Sequence, residues 1–113
     1  MTGNAGEPRI GELRHRVTLQ TPVRTGDGGG GASIVWTPVI EVSAAVRPAT
    51  GGESLDADRL SGLVSHEIWI RYRASVTPEM RFVFGSRVFD IRAVLDVDER
   101  RRWLRCLVEE KDV

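Results

Sequence analysis

Residues Met80–Glu109 read M-R-F-V-F-G-S-R-V-F-D-I-R-A-V-L-D-V-D-E-R-R-R-W-L-R-C-L-V-E. Three short runs of β-branched and aromatic residues are separated there by Gly85-Ser86 and by the charged corner Asp96–Arg102. Runs of this kind, bounded by turn residues at close spacing, are typical of an antiparallel meander. Gly85-Ser86 also supplies the Gly-X pair of a two-residue type II′ hairpin turn. The stretch therefore predicts three consecutive antiparallel strands.

Three upstream segments show the alternation of half-buried strands: Leu13–Gln20, Ile34–Arg47 and Val64–Val76. Pro38 interrupts the second segment, and because proline has no N–H for a ladder, it predicts an edge or a bulge. Six or so short strands with at most one short helix predict an all-β fold, a small antiparallel barrel or sandwich. The core residues expected from the closing meander are Phe89, Ile91, Leu95 and Cys106.

Two long connections separate these strands. Pro22–Ser33 contains five glycines and little apolar content, which predicts a long hairpin loop that is either functional or flexible. Pro48–Gly62 is also irregular, with a possible two-turn helix over Ser54–Leu60 that has Ser54 as its N-cap. A helix this short needs packing to be stable.

The whole-chain quantities limit the class of protein. At 113 residues we expect one domain, residues 10–113, preceded by a flexible tail over residues 1–9. Hydrophobic residues make up 41% and charged residues 28%, which is ordinary for a soluble domain and argues against wholesale disorder. Sixteen basic residues balance sixteen acidic ones, which argues against a domain whose main role is to grip nucleic acid.

No signal in the sequence predicts secretion or a membrane span. The N-terminus lacks an apolar h-region, and no apolar run is long enough to cross a bilayer. Cys106 is the only cysteine, so an internal disulfide is impossible and a reducing, cytoplasmic setting fits best. Because Cys106 alternates with Leu104 and Val108, we expect a buried structural thiol and not a nucleophile.

Enzyme and cofactor motifs are not found. His15 and His66 lie in separate strands without further ligands at metal-site spacing, so we expect no metal and no cofactor. Gly28–Gly31 lacks the GK[ST] ending and the following helix of a phosphate-binding loop. No nucleophile elbow or HExxH pattern occurs either. The chain is therefore interpreted as a non-enzymatic part.

The strongest charge cluster is Asp98-Glu99-Arg100-Arg101-Arg102. One interpretation is a solvated hairpin corner with internal ion pairs. A second is an intersubunit contact in which the arginines meet acidic residues of a neighbouring copy, such as Asp56 or Asp58. A third is a nucleic-acid surface, in which basic side chains alternate near aromatic ones. That surface would use Arg14, Arg16, Arg71, Arg73, Trp69 and Tyr72.

Three ordered features carry a family resemblance. I-G-E-L-R-H-R-V-T-L-Q-T-P (Ile10–Pro22) is followed by the Gly-rich loop and Trp36; P-A-T-G-G-E precedes H-E-I-W-I-R-Y-R; and the meander closes the chain. In this order the chain resembles the head–tail joining (head-closure or stopper) proteins of tailed bacteriophages and phage-derived gene transfer agents, over about residues 10 to 110. It departs from the pattern after Val42, where many relatives carry Trp-Ala and this chain has Ser43-Ala44.

The resemblance implies a small β-barrel protomer in a homo-oligomeric ring at the neck of the particle. Such a ring assembles in the bacterial cytoplasm, sits below the portal and adaptor, extends the channel for double-stranded DNA, and offers a platform for the tail terminator or tail tube. Its long loops reach into the channel or onto neighbouring rings. The candidate loop residues at the matching positions are Arg24, Asp27, Gly28, Gly29, Gly30, Gly31, Glu53, Asp56, Asp58 and Arg59. The charge cluster Asp98, Glu99, Arg100, Arg101 and Arg102 is the candidate intersubunit contact.

Two alternatives remain open from sequence. One is an OB- or SH3-like nucleic-acid binding module, which would bind DNA in a salt-sensitive way. The other is a neighbouring neck protein, either the adaptor or the tail terminator.

Overall fold

The computed structural model describes residues 6–26, 28–49 and 64–111. They form an antiparallel β-barrel that closes in the order β1-β2-β3-β6-β5-β4. The strands are β1 (His15–Gly26), β2 (Ala32–Pro48), β3 (His66–Arg71), β4 (Arg81–Phe84), β5 (Arg87–Asp96) and β6 (Trp103–Lys111), and short 3-10 helices cover Ile10–Glu12 and Val97–Glu99. The predicted all-β class is confirmed, and the architecture is the barrel. Within the described residues, no helix is long and apolar enough to cross a bilayer.

Apolar side chains fill the barrel interior because every strand alternates inward and outward residues. No polar or charged side chain of the described residues is buried. The barrel interior is therefore the hydrophobic core of the described part of the chain. The core side chains that are at most 2% exposed include Val17, Leu19, Ile68, Ile70, Phe82, Phe89, Ile91, Cys106 and Val108.

The prediction that Leu95 lies in the core is wrong. Arg92 is an extra residue in β5, where the register against β6 shifts between Ile91 and Ala93. Beyond this bulge Val94 packs against the core, while Leu95 is only half-buried. A bulge exchanges the inward and outward sides of a strand, so an alternation counted from Phe89 fails after it. The core positions of Phe89, Ile91 and Cys106 are confirmed.

Strands β1 and β2 continue past the barrel wall as a two-stranded ribbon. β1 pairs with β4 only over Thr18–Gln20, but its pairing with β2 runs on to Gly26↔Ala32. At the usual rise per residue of a strand, these further pairs extend the ribbon by about 20 Å. We call residues 21–37 the arm. The predicted long loop is thus wrong in extent, since only residues 27–31 lie between the two strands.

The arm leaves the barrel at a β-bulge. Leu19 lies opposite Ile40, but Gln20 lies opposite Pro38, so Val39 is an extra residue in β2. The predicted bulge at Pro38 is confirmed. Because a bulge bends and twists its strand, it directs the arm away from the barrel wall.

The two connections of the closing meander differ in backbone strain. Gly85, in the turn between β4 and β5, has φ of 62°, a conformation that glycine adopts at no steric cost. The corner between β5 and β6 places three non-glycine residues in the left-handed region: Asp98, Glu99 and Arg101, at φ of 58°, 54° and 56°. Asp96 stabilises this corner, because its Oδ1 accepts a hydrogen bond from the Arg101 N–H at 2.9 Å.

A second apolar cluster lies on the outside of the barrel. Trp69 and Trp103 pack edge to face there, with ring centroids 6.5 Å apart, and both are about 4% exposed. The N-terminal segment covers this pair, because Gly6 lies against the Trp69 ring and Leu13 packs on the cluster. Residues 6–9 of the predicted tail therefore lie on the barrel; the prediction of flexibility over residues 1–5 lies outside the described residues.

Arg47 fastens the N-terminal segment to this cluster. Its Nη1 donates to the Gly6 carbonyl at 2.6 Å, its Nη2 pairs with Glu12 at 3.1 Å, and its guanidinium lies 5.3 Å from the Trp69 ring centroid. We expect Arg47→Ala to lower the free energy of unfolding by about 1–3 kcal/mol, since one charge-assisted hydrogen bond network and a cation–π contact are lost together. Urea denaturation followed by circular dichroism measures this.

Arg16→Ala is the matched control for that prediction. Arg16 also makes an ion pair, with Glu41 at 3.2 Å, but both side chains are more than half exposed. An exposed pair contributes little, so we expect a loss below about 1 kcal/mol. Equal losses in the two variants would show that Arg47 does no more than a surface ion pair.

Candidate assembly interface

The registers place the connections of the barrel at two opposite ends, because antiparallel neighbours run in opposite directions. At one end, which we call the arm end, lie the arm, the connection 72–80 and the corner 96–102. At the opposite end lies the Gly85-Ser86 turn. Ala49 and Ser65, which flank residues 50–63, are also there, joined by an Ala49 N–H to Ser65 carbonyl hydrogen bond of 2.9 Å. The two long connections singled out in the sequence therefore start from opposite ends.

The arm exposes apolar side chains on both of its faces. Val23 and Val35 lie opposite each other and are 43% and 53% exposed; Ile34, on the other face, is 51% exposed. Val39, in the bulge at the root, is 45% exposed. Of the large hydrophobic side chains exposed in the described part of the chain, only Ile10 lies off the arm and its root. Within residues 6–26, 28–49 and 64–111, the arm and its root thus carry most of the exposed large hydrophobic side chains.

The root of the arm is rigidly attached. The Arg81 guanidinium lies 4.2 Å from the ring centroid of Trp36, and its Nε donates to Gln20 Oε1 at 2.7 Å. Arg81 and Gln20 also lie opposite each other across β4 and β1. These contacts join the first pairs of the arm to the barrel wall, so the arm is presented in a defined direction.

The arginines of the barrel differ in whether they form ion pairs. Ion pairs on the barrel wall include Arg105–Glu67 at 2.7 Å and Arg87–Glu110 at 2.8 Å, and Arg92 pairs with Glu109. Several arginines have no ion-pair partner among the described residues; the exposed ones at the arm end are Arg24, Arg71, Arg73, Arg100, Arg101 and Arg102. Arg71 stacks over Trp103, with its guanidinium 4.5 Å from the ring centroid. The arm end therefore presents exposed guanidinium groups, which suit an acidic partner.

The structure brings some of the predicted site residues together. Arg24 lies on the arm and Gly28–Gly31 at its tip, and Asp98–Arg102 form the corner at the same end; all of these are exposed. The predicted loop residues Asp27, Glu53, Asp56, Asp58 and Arg59 lie outside the described residues, as does the possible helix Ser54–Leu60. Tyr72 packs toward the core and Trp69 outward, so they do not share a nucleic-acid face.

Sequence reasoning missed the apolar residues of the arm. Val23, Ile34 and Val35 were the informative positions, since β-branched residues flank the glycine run on both sides in T-P-V-R-T and S-I-V-W-T. Such flanking runs are a hairpin signal when the glycines between them number only a few. Counting the glycine-rich stretch as one loop concealed the signal.

Neighbouring groups and burial shift the pKa values of ionisable side chains on the barrel wall and in its core. The Arg105 guanidinium, with the Trp69 indole N–H at 3.1 Å, holds the pKa of Glu67 below its usual value. Burial raises the pKa of the Cys106 thiol to about 12, which makes it inert at neutral pH. Among the described residues, no group of His, Cys, Asp or Glu could hold a metal ion.

We expect His66 to make the free energy of unfolding dependent on pH. Burial, together with Arg87, keeps the pKa of its imidazole below the usual value, although Glu110 opposes this. The Arg87 Nη2 lies 3.4 Å from His66 Nε2, and since arginine only donates, the ring is neutral in this arrangement. A group with a lowered folded pKa binds its proton first in the unfolded state. We therefore expect the free energy of unfolding to fall as pH drops below about 6.5.

Urea midpoints at pH 7.5 and pH 5.5 test this for the unmodified chain and for His66→Asn. The carboxylates of Glu12, Glu67, Glu109 and Glu110 all have lowered pKa values, so they destabilise the fold only at more acidic pH, below about 4.5. We expect the free energy of unfolding to fall less between pH 7.5 and pH 5.5 in His66→Asn than in the unmodified chain. An unchanged loss would assign the dependence to other groups.

Comparison with known proteins gives a family match and matches to several solved structures. Residues 8–111 match the family described as phage head completion protein. The solution structure of protein SF1141 from Shigella flexneri 2a is 26% identical, with a TM-score of 0.69 over 91% of this chain and 96% of that one. A chain in the virion of a native gene transfer agent particle is 29% identical, with a TM-score of 0.66 over 95% of this chain and all of that one. No curated protein matches.

Proposed function

Because this chain belongs to the phage head completion protein family, we propose that it is a structural component of a phage or gene transfer agent particle that acts at the neck, between head and tail. The family match spans nearly the whole chain, and a similar chain, covered along its full length, is part of a gene transfer agent virion. In this role the protein catalyses no reaction. It assembles in the bacterial cytoplasm and remains in the finished particle.

The function proposed is that of a ring-forming connector, or stopper, that extends the DNA channel. The filled barrel supports a ring, because a single copy contains no passage for DNA. A channel must then lie between several copies arranged around an axis. The homo-oligomeric ring thus follows from the proposed role in the channel.

One observation carries the connector role: the barrel has two different ends, each with a long connection. The arm projects from one end, and residues 50–63 start from the other. A part that joins two dissimilar neighbours needs two dissimilar surfaces. The neighbours proposed are the head-side adaptor or portal complex and the tail terminator or tail tube.

Retention of packaged DNA is proposed to be physical. Loops that narrow the channel would act through repulsion of phosphate by Asp27, Asp56 or Asp58 and attraction by Arg24 or Arg59. Glu53 and Gly28–Gly31 belong to the same two regions. DNA contact is transient in this account and requires no base recognition.

A nucleic-acid binding module is the second candidate, and the unpartnered arginines at the arm end favour it. It requires the isolated chain to bind duplex DNA with an affinity that falls steeply with salt. Fluorescence anisotropy with a labelled duplex at low salt distinguishes a DNA-binding module from a connector, because a connector should bind little DNA as a free protein.

Removal of the gene from a producing strain tests the proposed function. We expect particles to stop at the neck, with DNA-filled or emptied heads and separate tails by electron microscopy, and transfer of DNA to fall to background. Expression of the unmodified chain from a plasmid should restore both. Complete tailed particles without this chain would exclude the neck role.

A further inference from the structure

We propose that the arm inserts into a cleft of a neighbouring neck protein, and that this cleft has apolar walls and an acidic rim. This docking rests on the proposed connector role and specifies the chemistry of the partner at the arm end of the barrel. The opposite end is left to the second neighbour.

Both faces of the arm carry exposed apolar side chains. Val23 and Val35 lie opposite each other on one face, and Ile34 lies on the other face, opposite Arg24. Each of the three apolar side chains is between 43% and 53% exposed. Successive residues of a strand point to opposite faces, so a flat partner surface could cover only one set. Burial of both sets, which would stabilise the contact, therefore requires a partner that encloses the arm.

The barrel leaves both outer edges of the arm without a neighbouring strand. Among the described residues, β4 pairs with β1 only over Thr18–Gln20, and β3 pairs with β2 only over Ala45–Pro48. A two-stranded ribbon is at best marginally stable in water by itself. The contacts of Arg81 with Trp36 and Gln20 hold the root of this one in a defined direction. The arm is thus preorganised, which reduces the entropy lost when a partner encloses it.

The side chains of the arm favour a protein partner over DNA. Phosphate is bound by cations and hydrogen-bond donors, so exposed valine and isoleucine gain nothing from it. Of the described arm residues, only Arg24 is charged. Bases stack on exposed aromatic rings, and the aromatic residue of the arm, Trp36, is half-buried at the root beneath the Arg81 guanidinium. An apolar cleft in a protein matches these side chains better.

The arm end of the barrel carries an excess of guanidinium groups. Its six exposed arginines outnumber its carboxylates, which among the described residues are Glu79, Asp96, Asp98 and Glu99. Asp96 is already engaged, because it accepts the Arg101 N–H. Carboxylates at the mouth of the cleft would match this excess. Such charge pairs set the direction of docking and the rate of encounter more than the affinity.

The contact made by one arm is small, so the ring must supply much of the binding. The six residue pairs of the arm, Thr21↔Thr37 to Gly26↔Ala32, contain fewer residues than the roughly 20–30 a side of a standard stable interface. The arms of a ring engage together, and linked contacts raise the overall affinity well above that of one contact. The assembled particle, and not the free chain, is therefore the place to test the docking.

Photo-cross-linking in purified particles tests the enclosed arm. The full chain carries p-benzoylphenylalanine in place of Val35 or of Ile34 and is supplied from a plasmid to a producing strain without the gene. Both positions are exposed, so the fold should tolerate the change. After irradiation, we expect both variants to be cross-linked to one and the same particle protein, different from this chain and identified by mass spectrometry.

Ser86 is the matched control position, because it is exposed in the turn at the opposite end of the barrel. The same cross-linker at Ser86 should not reach the protein that the arm reaches. Cross-links from only one face of the arm or from neither, or cross-links to another copy of this chain or to DNA, would overturn the proposed docking. Particles that lack the chain altogether would instead contradict the neck role itself, and the docking with it.

Arg24→Glu tests the acidic rim separately, because Arg24 is the charged residue of the described arm. We expect the titre of transferred DNA to fall about tenfold or more, since the reversed charge would face carboxylates in every copy of the ring. Arg24→Lys keeps the charge and should stay within about threefold of the unmodified chain. Circular dichroism of both purified variants checks that they fold. Equal titres of the two variants would overturn the acidic rim.

Discussion

Truncation of the arm is expected to abolish particle joining while the barrel stays folded. The variant replaces residues 23–35 with Asn-Gly, so that Pro22 and Trp36, which lie opposite each other, are joined by a two-residue hairpin turn. The exposed apolar side chains of the arm, Val23, Ile34 and Val35, are lost, and with them the surface proposed to bind a neighbouring protein of the neck. We expect DNA transfer to fall to the level of the gene removal, measured by titre and by electron microscopy of necks.

The truncated barrel should remain nearly as stable as the unmodified chain. All described residues in the removed range are exposed, and exposed substitutions usually change the free energy of unfolding by no more than about 0.5 kcal/mol. A thermal melt of the purified variant checks this. If titre is lost only together with the fold, the arm has no separate role in assembly.

A tip-only variant divides the functions of the arm. Replacing residues 27–31 with Asn-Gly keeps every pair up to Gly26↔Ala32 and removes the glycine run and Asp27. We expect this variant to join heads to tails but to lose packaged DNA, if the tip narrows the channel. A normal titre would show that the tip of the arm is not needed to retain packaged DNA.

Phe82→Ala is expected to have the largest effect on stability. Phe82 is fully buried and lies opposite Leu19 of β1 and Phe89 of β5, so one side chain connects three strands. The β1–β4 seam that it closes is only three residue pairs long. Removing a buried phenylalanine leaves a cavity and costs about 3–5 kcal/mol. For a domain of this size that is a large part of the total stability.

Phe84→Ala is the control on the same strand. Phe84 packs against the core but is only partly buried, with its ring 4.8 Å from that of His15. The loss should be smaller because less apolar area leaves the interior. Urea denaturation of both variants gives the comparison. A loss for Phe84→Ala as large as that for Phe82→Ala would contradict the special role of the seam.

Much of the barrel could be predicted because its strands alternate regularly. The closing meander and its Gly85 turn follow the pattern of the sequence, and Pro38 correctly marks a bulge. Leu95 could not be placed, since Ala93-Val94-Leu95 is apolar at every position and a single extra residue, Arg92, decides which of them faces inward. Periodicity carries no information on such a bulge when both sides of the strand are apolar.

The paired strands of the arm could not be predicted from the sequence for a different physical reason. Composition predicts a loop where glycine is abundant, but a hairpin that already has a ladder in the barrel adds further pairs without the entropy of bringing two chains together. Val23 and Val35 then lie opposite each other and support the ribbon. The opposite placement of the two long connections also needed the structure, because it follows from which strands pair and in which direction.

The most direct test of the neck role is a cryo-EM reconstruction of the neck of the assembled particle. We expect a ring of these barrels between head and tail. Density for this chain inside the head, in the tail tip or nowhere in the particle would contradict it.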